Sequence, residues 1–375
     1  FADNAGVFVA TSAGNSGPGA ATLGNPGTMP WLTTVGASTQ SRFFQGTATI
    51  GDGSMYAGAS ITNGVDWNAL VDAEVAGGDL CIPGTLNPID VGGKIVLCRR
   101  GAIARVDKSF AVMVAGGVGM IMYNNDDVGD LNSDNHWVPS VHVDQTPGLS
   151  VKAYIAGDPG AATAMITAED SGVWGPAPSM TSFSSRGPNP VSPDIIKPDI
   201  TAPGHQVLAG NTPTPIGGLQ GQLFMAISGT SMSSPHIAGI GALLTQANPD
   251  WSPAVIRSAI MTTASQDAVD NDRISQADPF DFGAGHVNPG GEWSKGSARE
   301  PGLAYDAGLF EYAAYTCGAD FGVFTPGSCD FLEAIGVPSD ASDLNLPSIG
   351  VAGLAGSQTV QRTVTSVAKE NGWRT

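Results

Sequence analysis

Short apolar runs that stop at glycine or proline constrain this chain more than any other feature. The first, "AGVFVATSAGNSGP", predicts a buried strand at residues 7–9 that runs into a glycine turn. A second, "MPWLTTVGAST" at 29–39, is rich in β-branched residues and also ends at a glycine. Continuous apolar strands are typical of parallel sheets buried on both faces, so the pattern predicts an α/β fold in which helices cover the sheet.

The sequence pattern changes over residues 46–172, which form their own set of predicted elements and therefore predict a separate, inserted domain. "GKIVLCRRG", "VDKSFAVMVAGG" and "GMIMYNN" predict a strand, a helix and a strand, which together form a βαβ unit. "VPSVHVD" adds a strand, and "SVKAYIAG" adds a short amphipathic helix. The glycines of "AGGVGM" close a helix rather than open one, so they predict a helix cap and not a phosphate-binding loop.

Two helices are predicted after the insert, where short strands again end at Pro or Gly. The first runs from about Ser233 through "PHIAGIGALLTQA", with Pro235 in its first turn, where a missing N–H costs little. The second is "SPAVIRSAIMTTA", with Ser252 as N-cap and Pro253 at the first helical position. Near the end, the alternation of "SQTVQRTVTSV" predicts the start of a β domain.

Charge and cysteine content exclude some classes of partner. Asp and Glu outnumber Lys and Arg by 34 to 16, and a chain with a net charge of −18 repels nucleic-acid phosphates. No apolar run reaches about 18 residues, so no membrane span is predicted. The four cysteines, at positions 81, 98, 317 and 329, match no zinc spacing and leave two alternatives. They form two disulfides in an oxidising compartment, or they are four buried thiols.

The stretch "GTSMSSPHIAG" places Ser231 where a glycine turn runs into a helix. Serine is a preferred helix cap, so this evidence alone favours a structural role over catalysis. The helix N-terminus nevertheless offers free N–H groups and a positive dipole end to a developing negative charge, and Gly229 lets a substrate backbone approach. Asn15, in the turn "SAGNSGP", is either an ordinary turn residue or a second donor for the same oxygen.

Six motifs taken together favour the catalytic alternative. The chain contains, in order, "SAGNSGP", "PWLTTVGAST", "FSSRGP", "KPDITAPG", "GTSMSSPHIAG" and "PDWSPAVIRSAIMTTA". In this order they resemble the subtilisin-like serine proteases (subtilases, peptidase family S8), over about residues 1–45 and 173–300. The insert looks like a protease-associated (PA) domain. "DFGAGHVNP", "GLAYD" and "DLNLPSIGV" resemble the branch of the family that also carries a fibronectin-like C-terminal domain.

The resemblance implies a subtilisin-like parallel sheet with helices on both faces, incomplete at its N-terminus. It also implies four segments: the first part of the peptidase core at 1–45, a PA-like α+β domain at 46–172, the second part of the core at 173–342 and the start of a truncated fibronectin-like β domain at 343–375.

Carried over to matching positions, the family's roles make Ser231 the nucleophile. The side-chain amide of Asn15 and the backbone N–H of Ser231 would form the oxyanion hole. Ser12, Ala13 and Gly14 would line the pocket for the residue before the cut. The implied protein is a secreted serine endopeptidase that hydrolyses polypeptide substrates and uses no cofactor in catalysis.

The aspartate and histidine that would activate Ser231 are absent in their family motifs. In the family they precede the asparagine motif, in D-[ST]-G and H-G-T-x. Only 14 residues precede Asn15, the Asp3 segment "FADNAG" resembles no D-[ST]-G motif, and H-G-T-x occurs nowhere in the chain. The five histidines, at positions 136, 142, 205, 236 and 286, lie outside such motifs. We therefore expect that the chain is the C-terminal part of a longer protease and is inactive by itself.

A degenerate, non-catalytic subtilase that binds peptides through the PA-like domain is the alternative function. A calcium-dependent surface module is a further candidate, since "NNDDVGDLNSDN" at 124–135 is rich in carboxylates and amides. That stretch lacks EF-hand spacing, which favours a solvated acidic loop. The sequence leaves open whether a structural calcium ion binds elsewhere in the chain.

For the cysteines, the hypothesis is one bridge in each half of the chain. Cys81–Cys98 would tie the start of the PA-like domain to its "KIVLC" strand, and Cys317–Cys329 would close a small loop late in the chain.

Overall fold

The computed structural model of the chain describes residues 2–127, 130–168, 170–173, 176–215, 219–290 and 297–368. Val128 and Gly129 of the acidic stretch lie outside the described residues, as do the last seven residues of the segment predicted to be fibronectin-like.

The chain forms two compact units. Unit 1 comprises Phe1–Thr39, Pro176–His205 and Gly229–Thr375, and unit 2 comprises Gln40–Gly175 and Gln206–Ser228. Unit 2 therefore consists of one long stretch and one short, separate stretch of sequence.

The described residues form fifteen strands and eight α-helices. The strands are β1 (Ala10–Ser12), β2 (Thr33–Ser38), β3 (Arg42–Ile50), β4 (Met55–Ala59), β5 (Val65–Asp72), β6 (Ile95–Arg99), β7 (Gly119–Tyr123), β8 (Ser140–Val143), β9 (Thr163–Ile166), β10 (Asp170–Val173), β11 (Ile200–Pro203), β12 (Val207–Gly210), β13 (Phe224–Ile227), β14 (Leu303–Tyr305) and β15 (Val364–Ser366). The helices are α1 (Pro88–Val91), α2 (Arg105–Val114), α3 (Gln145–Gly157), α4 (Thr230–Ala247), α5 (Pro253–Thr262), α6 (Pro279–Phe282), α7 (Leu309–Gly318) and α8 (Pro326–Ala334).

A three-stranded parallel sheet in the order β1-β2-β11 organises unit 1. Ala10 pairs with Thr33 on one side of the central strand, and Ile200 pairs with Val35 on the other. All of β2 is buried, as expected for a strand covered on both faces. Apolar residues of α4 and α5 pack against the sheet. The predicted parallel sheet with packed helices is confirmed.

The first strand begins later than predicted. Residues 7–9 form no strand, and β1 starts at Ala10. The Val7 side chain is 52% exposed, while Phe8 packs against the core so closely that a Cβ on Gly241 would lie 2.4 Å from its ring. The apolar run therefore includes a packing anchor before the strand, which periodicity cannot separate from the strand itself.

Capping signals in the sequence predict the start of α5 correctly and the start of α4 incorrectly. α5 begins at Pro253 behind the Ser252 cap, as predicted. α4 begins at Thr230 rather than near residue 233, so that Pro235 lies inside the helix and not in its first turn. The Thr230 N–H donates to the side chain of Asn15, 215 positions away, and no local pattern shows such a partner.

Unit 2 contains an eight-stranded mixed sheet in the order β10-β3-β4-β8-β7-β6-β5-β9, and β9 also pairs with β3. Strands β6 and β7 are parallel neighbours joined through α2, which confirms the predicted βαβ unit. Along β6, Ile95 and Leu97 enter one apolar core, and Val96 and Cys98 enter another. The central strands are thus buried on both faces.

The acidic stretch at 124–135 is the solvated loop that its composition favours only in part, since residues 125–127 are exposed. Residues 130–134 are buried, and Asp134 accepts two hydrogen bonds from the guanidinium of Arg105, at 2.5 and 3.0 Å. For residues 130–134 the prediction is wrong, because Arg105 pairs with the carboxylate and the Asn132 amide donates to Asp130 O, so protein groups replace the solvent.

Both predicted disulfides are confirmed. Cys81 is bonded to Cys98 in unit 2, and Cys317 is bonded to Cys329 in unit 1, where the bridge joins α7 to α8. In the alternating stretch near the end of the chain, residues 364–366 form a strand, which pairs with β14.

No helix in the described part of the chain is long and apolar enough to cross a membrane. Among the same residues, no group of three or more histidine, cysteine, aspartate or glutamate side chains is arranged to hold a metal ion.

The buried imidazole of His136 makes the stability of the fold sensitive to acid. Burial lowers its pKa from 6.5 to about 4, Asp134 raises it in part, and Arg105 lowers it further. Between these two pH values the unfolded chain binds a proton that the folded chain does not, so stability is lost as the pH falls. We expect His136 alone to cost about 3 kcal/mol of unfolding free energy when the pH drops from about 7 to about 4.

Urea unfolding at several pH values checks this, with His136→Gln as the comparison. The variant should lose less stability over the same pH range, and an equal loss in both proteins would contradict the prediction.

Candidate active site

The site lies where the carboxyl end of β1 meets the N-terminus of α4. Just after β1, the Ala13 N–H donates to Val35 O (3.0 Å), and the chain then turns at Gly14. Gly14 has a φ of 108°, and a Cβ there would lie 2.8 Å from Ser185 Oγ, so both the turn and the space require glycine. The turn presents the next residue, Asn15, toward the start of α4.

The side chain of Asn15 is held in one orientation by Thr230. Its Oδ1 accepts hydrogen bonds from the Thr230 N–H and from Thr230 Oγ1, both at 2.9 Å. The same hydroxyl accepts the Gly14 N–H at 3.3 Å. Because two donors occupy Oδ1, the Nδ2 group is the end of the amide that remains available.

Asn15 Nδ2 and the backbone nitrogen of Ser231 both lie beside Gly229, together with Met232 Sδ. A Cβ built on Gly229 would lie 3.7 Å from each of these nitrogens. Glycine therefore leaves open the volume that both N–H donors border. Two donors around one small space can hold a single oxygen that carries negative charge.

Ser231 is the second residue of α4, and its side chain is exposed. N–H groups in the first turn of a helix have no intrahelical acceptor, and the aligned peptide dipoles place partial positive charge at this end. An exposed hydroxyl beside such an end can attack a carbonyl carbon whose oxygen enters the space next to Gly229.

The three predicted pocket residues lie at the end of β1 and just beyond it. Ala13 is fully buried, so its side chain is not accessible, and its carbonyl accepts the Gly24 N–H at 2.9 Å. The Gly14 carbonyl accepts the Ser185 N–H at 3.0 Å. Ser12 is half-buried at the last position of the strand. Their role as a substrate pocket stays a prediction.

Sequence reasoning missed Thr230 and Ser185. Thr230 is fully buried and orients Asn15, while Ser185 Oγ accepts the Ser16 N–H at 3.1 Å and borders Gly14. Each sits next to residues that were singled out, in "GTSMSSPH" and "FSSRGP". No local signal distinguishes these hydroxyls from other serines and threonines in loops.

In the described part of the chain, no histidine forms a hydrogen bond with Ser231. His236 lies five residues further along α4, and its Nδ1 is hydrogen-bonded to Met232 O at 2.8 Å. His286 is half-buried, and burial lowers its pKa to about 4. His136 and His142 belong to unit 2, and His205 is buried in unit 1. No described histidine is thus placed by a hydrogen bond to take a proton from Ser231.

The family model and the similar curated proteins agree on one family. The family model described as the subtilase family matches residues 1–285. The Arabidopsis thaliana subtilisin-like proteases SBT1.6 and SBT1.7 are 39% and 40% identical to this chain over 397 residues, covering 97% and 96% of it. The matches cover 50% of each of those proteins, so the chain spans about half the length of the curated relatives it matches.

A solved structure also matches, with little similarity. It is the psychrophilic subtilisin-like protease Apa1 from the Antarctic psychrotroph Pseudoalteromonas sp. AS-11, which is 18% identical, with coverage of 76% of this chain and 63% of its own. Its TM-score of 0.31 supports no conclusion about the fold.

The hydroxyl of Thr230 should stabilise the site measurably. In Thr230→Val the Gly14 N–H loses its acceptor and Asn15 Oδ1 loses one donor, which should cost about 1–3 kcal/mol of unfolding free energy. Thr230→Ser keeps both hydrogen bonds and is the matched control, because it removes only a methyl group. Denaturant unfolding of both variants checks this, and a valine variant at least as stable as the serine variant would contradict it.

Proposed function

The chain belongs to the subtilase family of serine endopeptidases, and on this premise we propose that Ser231 is the nucleophile of a site that hydrolyses peptide bonds. The observation that carries the proposal is that Asn15 Nδ2 and the Ser231 nitrogen both lie beside Gly229, each 3.7 Å from a Cβ built there. This is the arrangement that an acyl-transfer site needs around the oxygen of the attacked carbonyl.

In the proposed reaction Ser231 Oγ bonds to the carbonyl carbon of the substrate, and its proton passes to a base. The carbonyl oxygen becomes an oxyanion, which accepts hydrogen bonds from the Ser231 N–H and from Asn15 Nδ2. These donors are fixed before the reaction, so they bind the tetrahedral oxyanion better than the ground-state carbonyl and lower the barrier. The C–N bond then breaks, the leaving amine takes the proton, and water hydrolyses the acyl-serine.

The base and its carboxylate partner are proposed to come from outside residues 1–375. Serine is a weak nucleophile at its ordinary pKa and needs a base within hydrogen-bonding reach. The described histidines have no hydrogen bond to Ser231, no D-[ST]-G motif precedes Asn15, and the sequence lacks the H-G-T-x motif. The isolated chain is therefore proposed to be inactive, and the longer protein to be the enzyme.

Polypeptides are the proposed substrates, and the secreted compartment the proposed location. Two disulfides fit an oxidising environment. The net charge of −18 disfavours nucleic acid as a partner.

Unit 2 supports the proposal of an inserted PA-like domain, because it has its own sheet and its own apolar cores. The fibronectin-like nature of 343–375 and the predicted segment boundaries remain part of the proposal.

Reaction of Ser231 with a fluorophosphonate tests the nucleophile and its missing base together. We expect the isolated chain to label very slowly, because no base removes the hydroxyl proton. A polypeptide that carries D-[ST]-G and H-G-T-x segments ahead of this chain should label fast, and its Ser231→Ala variant should not label. Rapid labelling of the isolated chain at Ser231 would show that the base is already present. Absence of labelling in the longer form would favour the non-catalytic binding protein.

Removing the second donor should slow turnover rather than weaken binding. In the longer, active form, Asn15→Ala should lower kcat by about 10²–10³, the range known for removing one such donor from another subtilisin, with little change in KM. Steady-state kinetics on a peptide substrate measure both constants. Asn345→Ala is the matched control, because its amide donates to the carbonyls of Asp306 and Thr363 in the same unit. Equal kcat values for the two variants would remove Asn15 from the mechanism.

A further inference from the structure

The turn that carries Asn15 is hydrogen-bonded to Ser185 on both sides of the asparagine. Ahead of Asn15, Gly14 O accepts the Ser185 N–H at 3.0 Å. Behind it, the Ser16 N–H donates to Ser185 Oγ at 3.1 Å. All of these residues belong to unit 1. One serine, distant in sequence, therefore binds both the residue before Asn15 and the residue after it.

The turn and residues 183–185 approach so closely that no side chain fits between them at Gly17. A Cβ on Gly17 would lie 2.0 Å from Ser184 O, and the Gly17 N–H donates to Phe183 O at 2.9 Å. Ser185 itself is fully buried. A hydrogen bond that forms away from solvent is costly to lose, so the buried hydroxyl of Ser185 should hold the turn more firmly than an exposed one would.

Both neighbours of Ser185 are fixed by contacts elsewhere in unit 1. Ser184 Oγ accepts the Ala37 N–H, in β2, at 3.0 Å. Arg186 is 2% exposed, and its Nη2 group donates to Asp270 Oδ1 at 3.0 Å. One neighbour is therefore tied to the parallel sheet and the other is tied to a carboxylate. Ser185 is held from both sides by groups that lie outside the turn.

Ser185 and Thr230 hold different parts of the same region. Thr230 holds the side chain of Asn15 through Oδ1, whereas Ser185 holds the main chain on either side of that residue. The position of Nδ2 depends on both contacts, because the side chain reaches Thr230 in the same way only if its own Cα stays in place. A donor in such a site must be placed to within about 0.5 Å, so a shift of the turn would reach the chemistry although Ser185 is buried.

We propose that Ser185 is a positioning residue for Asn15 and acts through the main chain of the two residues beside it. The inference rests on the proposed function for its catalytic meaning, which is that Asn15 Nδ2 binds the oxyanion. Its structural consequence is independent of any reaction. Loss of the Ser185 hydroxyl should loosen the hydrogen bond from the Thr230 N–H to Asn15 Oδ1, a bond in which Ser185 is not a partner.

Amide hydrogen exchange on the full 375-residue chain tests the inference without requiring a reaction at Ser231. In Ser185→Ala, the amide of Thr230 should exchange about threefold to tenfold faster than in the unmodified chain, because its acceptor is less firmly held. Ser258→Ala is the matched control, because Ser258 is also fully buried in unit 1 and its hydroxyl also accepts one backbone N–H, that of Tyr305, at 2.9 Å. That variant should leave the Thr230 amide unchanged.

A second variant, Ser185→Cys, keeps the test decisive if Ser185→Ala does not fold. Cysteine fills nearly the same space, but its sulfur is a weak acceptor, so exchange of the Thr230 amide should again be faster than in the unmodified chain. Unchanged exchange at Thr230 in the folded variant, or equal acceleration in Ser258→Ala, would overturn the inference.

Steady-state kinetics on the longer, active form distinguish positioning of Asn15 from a general structural role. Ser185→Ala should lower kcat about threefold to tenfold with little change in KM. The same substitution should have no further effect on kcat in an Asn15→Ala background, because it acts through Asn15. Ser258→Ala should leave kcat unchanged. An equal loss of kcat from Ser185→Ala in both backgrounds would contradict the positioning role.

The two experiments together separate this inference from the proposed function. Faster exchange at Thr230 in Ser185→Ala supports the positioning role, even where Asn15→Ala leaves kcat unchanged and thereby removes Asn15 from the mechanism. Unchanged exchange at Thr230, combined with a loss of kcat in Asn15→Ala, supports the proposed function and overturns the positioning role.

Discussion

The paired hydrogen bonds from Thr230 to Asn15 Oδ1 are the contact on which the candidate site depends. They join the end of β1 to the start of α4 across 215 positions of sequence. They also supply a cap for an N–H that the helix itself cannot satisfy. One amide side chain therefore sets where the helix begins, how the turn after β1 is oriented, and which end of Asn15 is left to face a ligand.

Backbone contacts bring the end of the sheet to the same turn. The Gly204 N–H donates to Ser38 O at the end of β2, and Gly204 O accepts the Gly229 N–H. A Cβ on Gly204 would lie 2.1 Å from Ser233 Oγ and 2.7 Å from the Cβ of Ala37, so only glycine permits this approach. The turn at 229–231 is consequently fixed by main-chain geometry, and its donors need little reorganisation when charge develops.

Local sequence signals predicted the features that depend on interactions between residues close in sequence. The buried run of β2, the βαβ unit around α2 and the Ser252 cap all follow from periodicity and capping rules. The start of α4, the anchor role of Phe8 and the burial of residues 130–134 did not follow, because each depends on a partner distant in sequence. For the site, the motifs pointed to Ser231 and Asn15, whereas the orienting role of Thr230 required coordinates.

The proposed acyl transfer needs two tasks to be carried out at one place. Stabilising the oxyanion requires fixed dipoles, and the candidate donors are fixed by contacts among the turns after β1 and before α4. Moving the proton requires a base aligned with Ser231 Oγ, and no described histidine is hydrogen-bonded to it. Preorganised donors act only on charge that a deprotonated nucleophile creates. Stabilisation of the oxyanion therefore contributes little to the rate until a base removes the proton of the hydroxyl. On the proposed function, the reactivity of Ser231 therefore depends on whether a base is present. The donors that would bind the oxyanion belong to this chain.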